Sequence, residues 1–353
     1  MKTLQLFSAK PETIPISAAW YIADLAEARG KQQLYMRQMP QRLRALREHA
    51  LIESAVSSNR IEGIEIDQKR VGTIIFGKSL LHDRDEEEVR GYRGALNLIH
   101  EHAVNIPISG DAILGLHRLT RGEIWDAGKY KEKDGDIIEK YPDGRERIRF
   151  KTVTAANTPA YMEKLVSLWS QSLEEKWVPP LITLAAFNLD FLCIHPFRDG
   201  NGRVSRLLLL LQSYQLGYEV GRYISLERLI EQNKDRYYET LEQSSQGWHE
   251  GKHDPWPYIN YLLFIFKTAY RELESRMDIA ASPRGAKTEI IEAAIKSFPD
   301  EFTLADLERA CSGVSHDMAR KVLHMKQRTG DVICQGRGPG ARWKRKGTTP
   351  ERG

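Results

Sequence analysis

Two apolar runs, Ile182 to Ile194 and Leu207 to Leu211, are separated by twelve residues that neither run can absorb: His195-Pro196-Phe197-Arg198-Asp199-Gly200-Asn201-Gly202-Arg203-Val204-Ser205-Arg206. The first run has a helical pattern and the second reads as a buried helix. The stretch between them must therefore reverse the chain tightly at one end of the core. Pro196 cannot continue a helix, and Phe197 is expected to plug into the core beneath the turn. Gly200 and Gly202 let the backbone turn and approach a ligand closely.

The same residues carry chemistry suited to a polyphosphate. A neutral His195 imidazole can take a proton from a hydroxyl nucleophile. Asp199 is a hard oxygen ligand for a Mg2+ ion shared with phosphate oxygens. Amides from Gly200 to Arg203, across Asn201 and Gly202, can point at phosphate oxygens, and the helix that opens over Val204 and Ser205 adds its positive N-terminal end. Arg203 and Arg206 are three apart, so they share a helix face and can clamp phosphates from one side. A bare glycine turn with surface arginines would not need all these parts together.

This segment resembles the signature of the Fic family, H-x-F-x-[D/E]-G-N-G-R-x-x-R, and every specified position matches. Most members of that family transfer AMP from ATP to a Ser, Thr or Tyr hydroxyl on a protein. The resemblance implies that His195 deprotonates the acceptor, which attacks the α-phosphorus in line and expels pyrophosphate. It also implies that Asp199 holds Mg2+ between the α- and β-phosphates. Asn201 and the loop amides would bind phosphate oxygens, and Arg206 would reach the γ-phosphate. An intact Asp199 and Gly200-Asn201-Gly202 loop argue for a nucleoside triphosphate rather than UMP, phosphate or phosphocholine transfer, although CTP, GTP or UTP could enter the base pocket. The chain itself is among the acceptors such an enzyme can modify.

Upstream, Ser58-Asn59-Arg60-Ile61-Glu62-Gly63 closes a helical pattern over 44–62, with Gly63 as its C-terminal stop. Ser58 and Glu62 are four apart and lie on one face. The segment is similar to the family's inhibitory pattern, [S/T]-x-x-x-E-[G/N], in the class where the inhibitory helix is N-terminal in the same chain. By that resemblance Glu62 pairs with Arg206, removes the γ-phosphate's partner and lowers basal activity. In one branch of the family the equivalent glutamate orients water for AMP removal, so a deAMPylating role stays open. A homodimer is one arrangement that could control the glutamate.

The organisation read from the chain is mainly α: a helical region with an irregular start over 1–105 carrying the inhibitory motif, a catalytic core over 106–272, a linker over 273–286, a small domain over 287–346 and a tail over 347–353. Within the core, Asp136 to Tyr141 and Arg145 to Phe150 alternate around Pro142-Asp143-Gly144, a hairpin signal. In the Fic fold such a hairpin is a flap that docks the target's backbone. Tyr237, rather than Tyr238, is expected to line the adenine pocket by the same resemblance. His249-Glu250-Gly251-Lys252-His253 spells a zinc pattern, but Gly247, Gly251 and Pro255 argue for a loop that cannot align the two imidazoles. The small domain looks like a winged helix: a helix from Lys287 to Lys296, one from Leu304 to Ala310 capped by Thr303, a Cys311-Ser312-Gly313 turn, a third from Ser315 to Arg328, and a glycine-tipped hairpin over Val332 to Lys346.

Charge sharpens this division. The chain of 353 residues has a net charge of +4, yet Ser315 to Gly353 holds ten Lys/Arg against three acids. The rest is slightly acidic, so the basic end raises a second reading: a DNA-binding regulator whose core senses nucleotide, against a plain protein-contact module. Three separated cysteines, Cys193, Cys311 and Cys334, without a CxxC pair suggest a reducing compartment, and Cys193 reads as a core residue. No sustained apolar segment reads as a leader or a membrane span, so a cytoplasmic location is expected.

Overall fold

The computed structural model describes residues 1–8, 13–38, 40–64, 84–122, 124–140, 144–281, 286–298, 301–311, 314–336, 338 and 340–345. Its fold is mainly α. In order come α1 (Lys2–Ser8), α2 (Ile16–Gln38), α3 (Pro40–Ile61), α4 (Arg84–His102) and α5 (Gly110–Arg121). An antiparallel hairpin follows, β1 (Ile137–Lys140) with β2 (Glu146–Phe150), then α6 (Thr158–Glu174), α7 (Pro180–Ile194), α8 (Asn201–Gln215), α9 (Leu226–Gln232), α10 (Lys234–Ser245) and α11 (Trp256–Ala281). The C-terminal unit contains α12 (Ala286–Ser297), β3 (Glu301–Thr303), α13 (Leu304–Ala310), α14 (His316–Arg328), β4 (Val332–Gln335) and β5 (Arg342–Arg345).

The centre of the larger unit is α7, whose residues from Leu181 to Ile194 are buried on every side. A helix apolar all round belongs inside a domain, and α1, α6, α8 and α11 surround it. Its buried polar residues are bonded: the Thr183 hydroxyl shares a hydrogen bond with the Ser172 hydroxyl at 3.0 Å, and Asn188 donates to the Ser205 carbonyl at 2.8 Å and accepts from the Tyr258 hydroxyl at 2.7 Å. The buried Asp190 carboxylate accepts from the Thr3 and Leu4 amides at 2.9 and 3.0 Å and from Trp248 Nε1 at 2.6 Å. The irregular start expected from sequence is therefore a helix, because α1 spends its first amides, which no intrahelical carbonyl can use, on a buried carboxylate.

Helix α3 packs against α4 and α9. The buried Glu227 at the start of α9 ties all three, accepting from Ser54 at 2.7 Å and from the Tyr92 hydroxyl at 3.0 Å. The hairpin pairs Ile138 with Ile148 and Glu139 with Arg147, with an irregularity between Ile137 and Ile138. Arg147 and Arg149 of β2 both reach Glu242 on α10, at 2.9 and 2.5 Å, so the hairpin is tied down on one side. Of its expected turn, residues 141–143 lie outside the described residues.

The linker expected over 273–286 begins inside a helix. Leu273 and Met277 remain buried, which carries α11 on to Ala281; residues 282–285 lie outside the described residues. The C-terminal unit has its own core of Ile291, Phe302, Leu307, Val322, Leu323 and Trp343. Its three strands form one antiparallel sheet in the order β3-β5-β4. Thr303 and Asp306 form a capping box at α13, and Ser315 caps α14. Residues 312 and 313 of the expected turn, parts of the glycine-rich tip and the 347–353 tail lie outside the described residues.

Candidate active site

The turn between α7 and α8 is made by two left-handed residues. His195 ends α7 at φ +53°, an uncommon conformation for a non-glycine residue, and Gly200 precedes α8 at φ +84°. Directly after Gly200, Asn201 folds its amide back over the turn, accepting from the Phe197 amide at 2.9 Å and donating to the Phe197 carbonyl at 2.8 Å. This occupies the Asn201 side chain, which sequence reasoning assigned to a phosphate; it staples the loop, and the loop amides are what remain to meet an anion. Phe197 lies buried beneath the turn, stacked on His117 of α5 with ring centroids 3.8 Å apart.

His117 also holds the loop by its backbone. The Gly128 amide donates to His117 Nδ1 at 3.0 Å, which leaves the proton on Nε2, and Nε2 donates to the Asp199 carbonyl at 3.0 Å. One turn later Arg121 NH1 donates to the Asp199 carboxylate at 2.6 Å and to Glu88 at 2.8 Å. Arg84 reaches Asp199 at 3.4 Å and Arg203 at 3.6 Å. Burial works against the Asp199 charge, but these guanidiniums and the Gly200 amide outweigh it, and its carboxyl is held below the usual range. The result is an ionised, half-exposed carboxylate: an oxygen donor of the kind Mg2+ shares with phosphate oxygens.

Arg203 does not sit beside Arg206 as a second clamp. Its guanidinium is buried against Glu88 of α4 and is 3.5 Å from Asn59 of α3. Helical spacing puts the two arginines on one face, but the carboxylate delivered by α4 takes Arg203 into the loop's foundation. Val204 and Ser205 are buried as well, and the Ser205 hydroxyl bonds the Gly202 carbonyl at 2.8 Å.

Arg206 is the endpoint of the N-terminal motif. Its Nε donates to Ser58 Oγ at 2.8 Å, and its NH2 donates to the Ser58 carbonyl and to Glu62 Oε1, both at 2.8 Å. NH1 is buried and has no acceptor among the described residues. Burial disfavours the guanidinium's charge, and Glu62 leads the neighbours that more than restore it, so its pKa is raised. Glu62 lies directly over the start of α8, where a β-carbon at Gly202 would come 2.2 Å from its Oε1.

Of these groups Glu62, His195 and Gly202 line one cavity of about 220 Å³, with Ile137, Tyr237 and Tyr238 among its other walls. Burial and the neighbouring Lys131 ammonium push the His195 imidazole down to about 4, so it is neutral near pH 7. Lys131 is itself buried, donating to Thr152 at 2.7 Å and to the Ile194 carbonyl at 3.3 Å. Both tyrosines border the cavity. Tyr237 is almost wholly buried, its ring 5.8 Å from Tyr261 and 6.0 Å from Tyr258, whereas Tyr238 is partly exposed with its hydroxyl 3.4 Å from the Ile61 carbonyl. Tyr238, which sequence reasoning set aside, thus has the more open ring.

Sequence reasoning missed the residues contributed by α4 and α5: Glu88, His117 and Arg121. They follow no local motif, and the only trace is a buried-polar pattern within amphipathic helices. Elsewhere, His249 and His253 lie in a loop turned by Gly247 and Gly251, and they bond separately to the Lys151 carbonyl and Thr3. Cys193 is buried, and burial raises its thiol well above the usual value. No described helix is long and apolar enough to cross a membrane.

Residues 107–213 match the Fic/DOC family, and this stretch is a Fic domain. The chain is 27% identical over 216 residues to "Protein adenylyltransferase Fic" from Nematostella vectensis, covering 58% of this chain and 45% of that protein. It is 28% identical over 155 residues to "Protein adenylyltransferase fic-1" from Caenorhabditis elegans, covering 42% of this chain and 27% of that protein. The chain thus spans less than half the length of these curated relatives. A Fic family protein from Desulfovibrio desulfuricans G20 shares the fold over 97% of this chain and 99% of its own, at a TM-score of 0.60 and 22% identity. A Fic domain containing signaling protein from Bacteroides thetaiotaomicron VPI-5482 does so over 70% and 94%, at a TM-score of 0.59 and 22% identity.

Proposed function

We propose that this Fic-domain chain is an auto-inhibited protein adenylyltransferase, moving AMP from ATP to a Ser, Thr or Tyr hydroxyl and releasing pyrophosphate. The observation that carries the reading is Glu62 on Arg206 at 2.8 Å, across the same cavity wall that holds a neutral His195. His195 accepts the acceptor hydroxyl's proton as its oxygen attacks the α-phosphorus. The amides of Gly200 to Arg203 and the N-terminal end of α8 receive the growing charge on the phosphate oxygens. Asp199, kept ionised by its arginine neighbours, is the residue that would hold Mg2+, which neutralises phosphate charge when bound. Arg206 supplies the γ-phosphate contact once Glu62 gives up its NH2 group.

Glu62 opposes this by offering Arg206 a carboxylate already in place. A charge-assisted hydrogen bond contributes about 1.5–3 kcal/mol, enough to shift the triphosphate from the productive pose by one to two orders of magnitude. Labelling with α-32P-ATP and Mg2+ in native-host lysate tests it. Glu62→Gly is expected to raise transfer severalfold over wild type, and adding His195→Ala should abolish it. Loss of a preformed AMP label in wild type, with none gained by Glu62→Gly, would instead identify an AMP-removing enzyme. The C-terminal unit is read as a winged helix, a proposal supported by its helix-strand-helix-helix-hairpin order.

A further inference from the structure

We propose that the outward face of α14, together with the β4–β5 hairpin beside it, is a docking surface for double-stranded DNA. Helix α14 buries Ala319, Val322 and Leu323 on one side. At about 100° per residue, the opposite side gathers Gln327, Arg320, His324, Asp317, Arg328 and Lys321 into an arc of about 120°. All six are exposed. Arg320, Lys321 and Arg328 form no ion pair with any described residue, although Lys326, outside this arc, is held by Glu292 and Asp331. The cations facing outward are thus the ones left without an acidic partner inside the fold.

The surroundings fit a duplex in shape as well as sign. Helix α13 precedes α14 after a short connection, and His316 at the start of α14 lies against Glu308 of α13. The α14 cylinder of thirteen residues is about 20 Å long and has the width a major groove of about 12 Å admits, with exposed Met325 at the edge of the arc. The hairpin flanks it: Trp343 of β5 packs edge-on against the His324 ring, 5.6 Å between centroids. That contact sets exposed Arg345, which has no described ion-pair partner, on the strand next to the helix. Arg320, Lys321, Arg328 and Arg345 are suited to phosphates, while Gln327 is a side chain able to read a base edge.

The test is fluorescence anisotropy of the full chain with a labelled random 20-base-pair duplex, without ATP, so that it is independent of AMP transfer. Micromolar binding at 50 mM salt is expected, and about four phosphate contacts predict a log–log salt slope near −3.6, or roughly 100-fold weaker binding at 200 mM. Arg320→Glu with Lys321→Glu should weaken binding at least tenfold and reduce the slope by about 2. Asp317→Asn removes the one acid of the face and should tighten binding severalfold, a gain that unfolding could not produce. Absence of binding at 50 mM salt, equal affinity in the charge-reversed variant, or tenfold tighter binding of single-stranded RNA of the same length would overturn the proposal.

Discussion

At the scale of single residues, the site depends on a buried ionic cluster that alternates sign. Arg121 is 3% exposed and lies between Glu88, Asp126 and Asp199 at 2.8, 3.4 and 2.6 Å. Replacing it with Gln would leave Glu88 and Asp126 buried with less compensation. Removing one partner from a buried ion pair costs about 3–5 kcal/mol, so Arg121→Gln should lower unfolding free energy by about 3 kcal/mol in urea titration. An unchanged midpoint would show that Arg203 and Arg84 suffice. The motif residues at this scale were legible, because backbone turn, base and carboxylate all lie within twelve positions. Glu88, His117 and Arg121 were not, since a carboxylate and a guanidinium 33 positions apart declare no pairing until α4 and α5 pack.

Between elements, the α4–α5 contact is what delivers that cluster, and it is unusually close. A β-carbon at Gly91 would meet the Leu119 carbonyl oxygen at 2.2 Å, and a backbone atom cannot swing aside as a side chain can. Gly91→Ala should force the helices apart and cost about 1–3 kcal/mol, read as a fall in the urea midpoint with unchanged helical signal. A neutral or stabilising result would mean that the pair can slide. Helix α3 illustrates a complementary point. Its ending near Glu62 could be anticipated from Ser58 and Gly63. That it reaches Arg206 follows from Glu227, which bonds Ser54 on α3 and Tyr92 on α4 and so sets where the helix lies.

Across the whole molecule, burying imidazoles makes stability depend on pH. His195 is pushed down to about 4 and His100 to about 3, in each case mainly by burial. Both are neutral when folded, whereas an unfolded chain protonates them near 6.5. Unfolded protein therefore binds more protons once pH drops below 6.5, and folding weakens progressively toward pH 4. Between pH 7 and pH 5, before most carboxylates titrate, these two rings should lower stability by about 4 kcal/mol in urea unfolding, and His100→Asn should flatten the decline. A flat profile over that window would show that the two rings stay hydrated.

What the sequence determined alone is local: the turn between two apolar runs, the imidazole and carboxylate on it, the Ser58/Glu62 pair, the hairpin, and the three helices and closing hairpin of the C-terminal unit, though not β3. These depend on periodicity, turn chemistry and caps, which act within a few residues. Only the tertiary structure decided that α1 is ordered by Asp190, that Asn201 staples the loop, and that Arg203 turns to Glu88. Each of those is a pairing between buried polar groups distant in sequence or competing for one partner. Which pairs form is set by how the helices pack, because a buried donor or charge takes whichever acceptor that packing brings within about 3 Å.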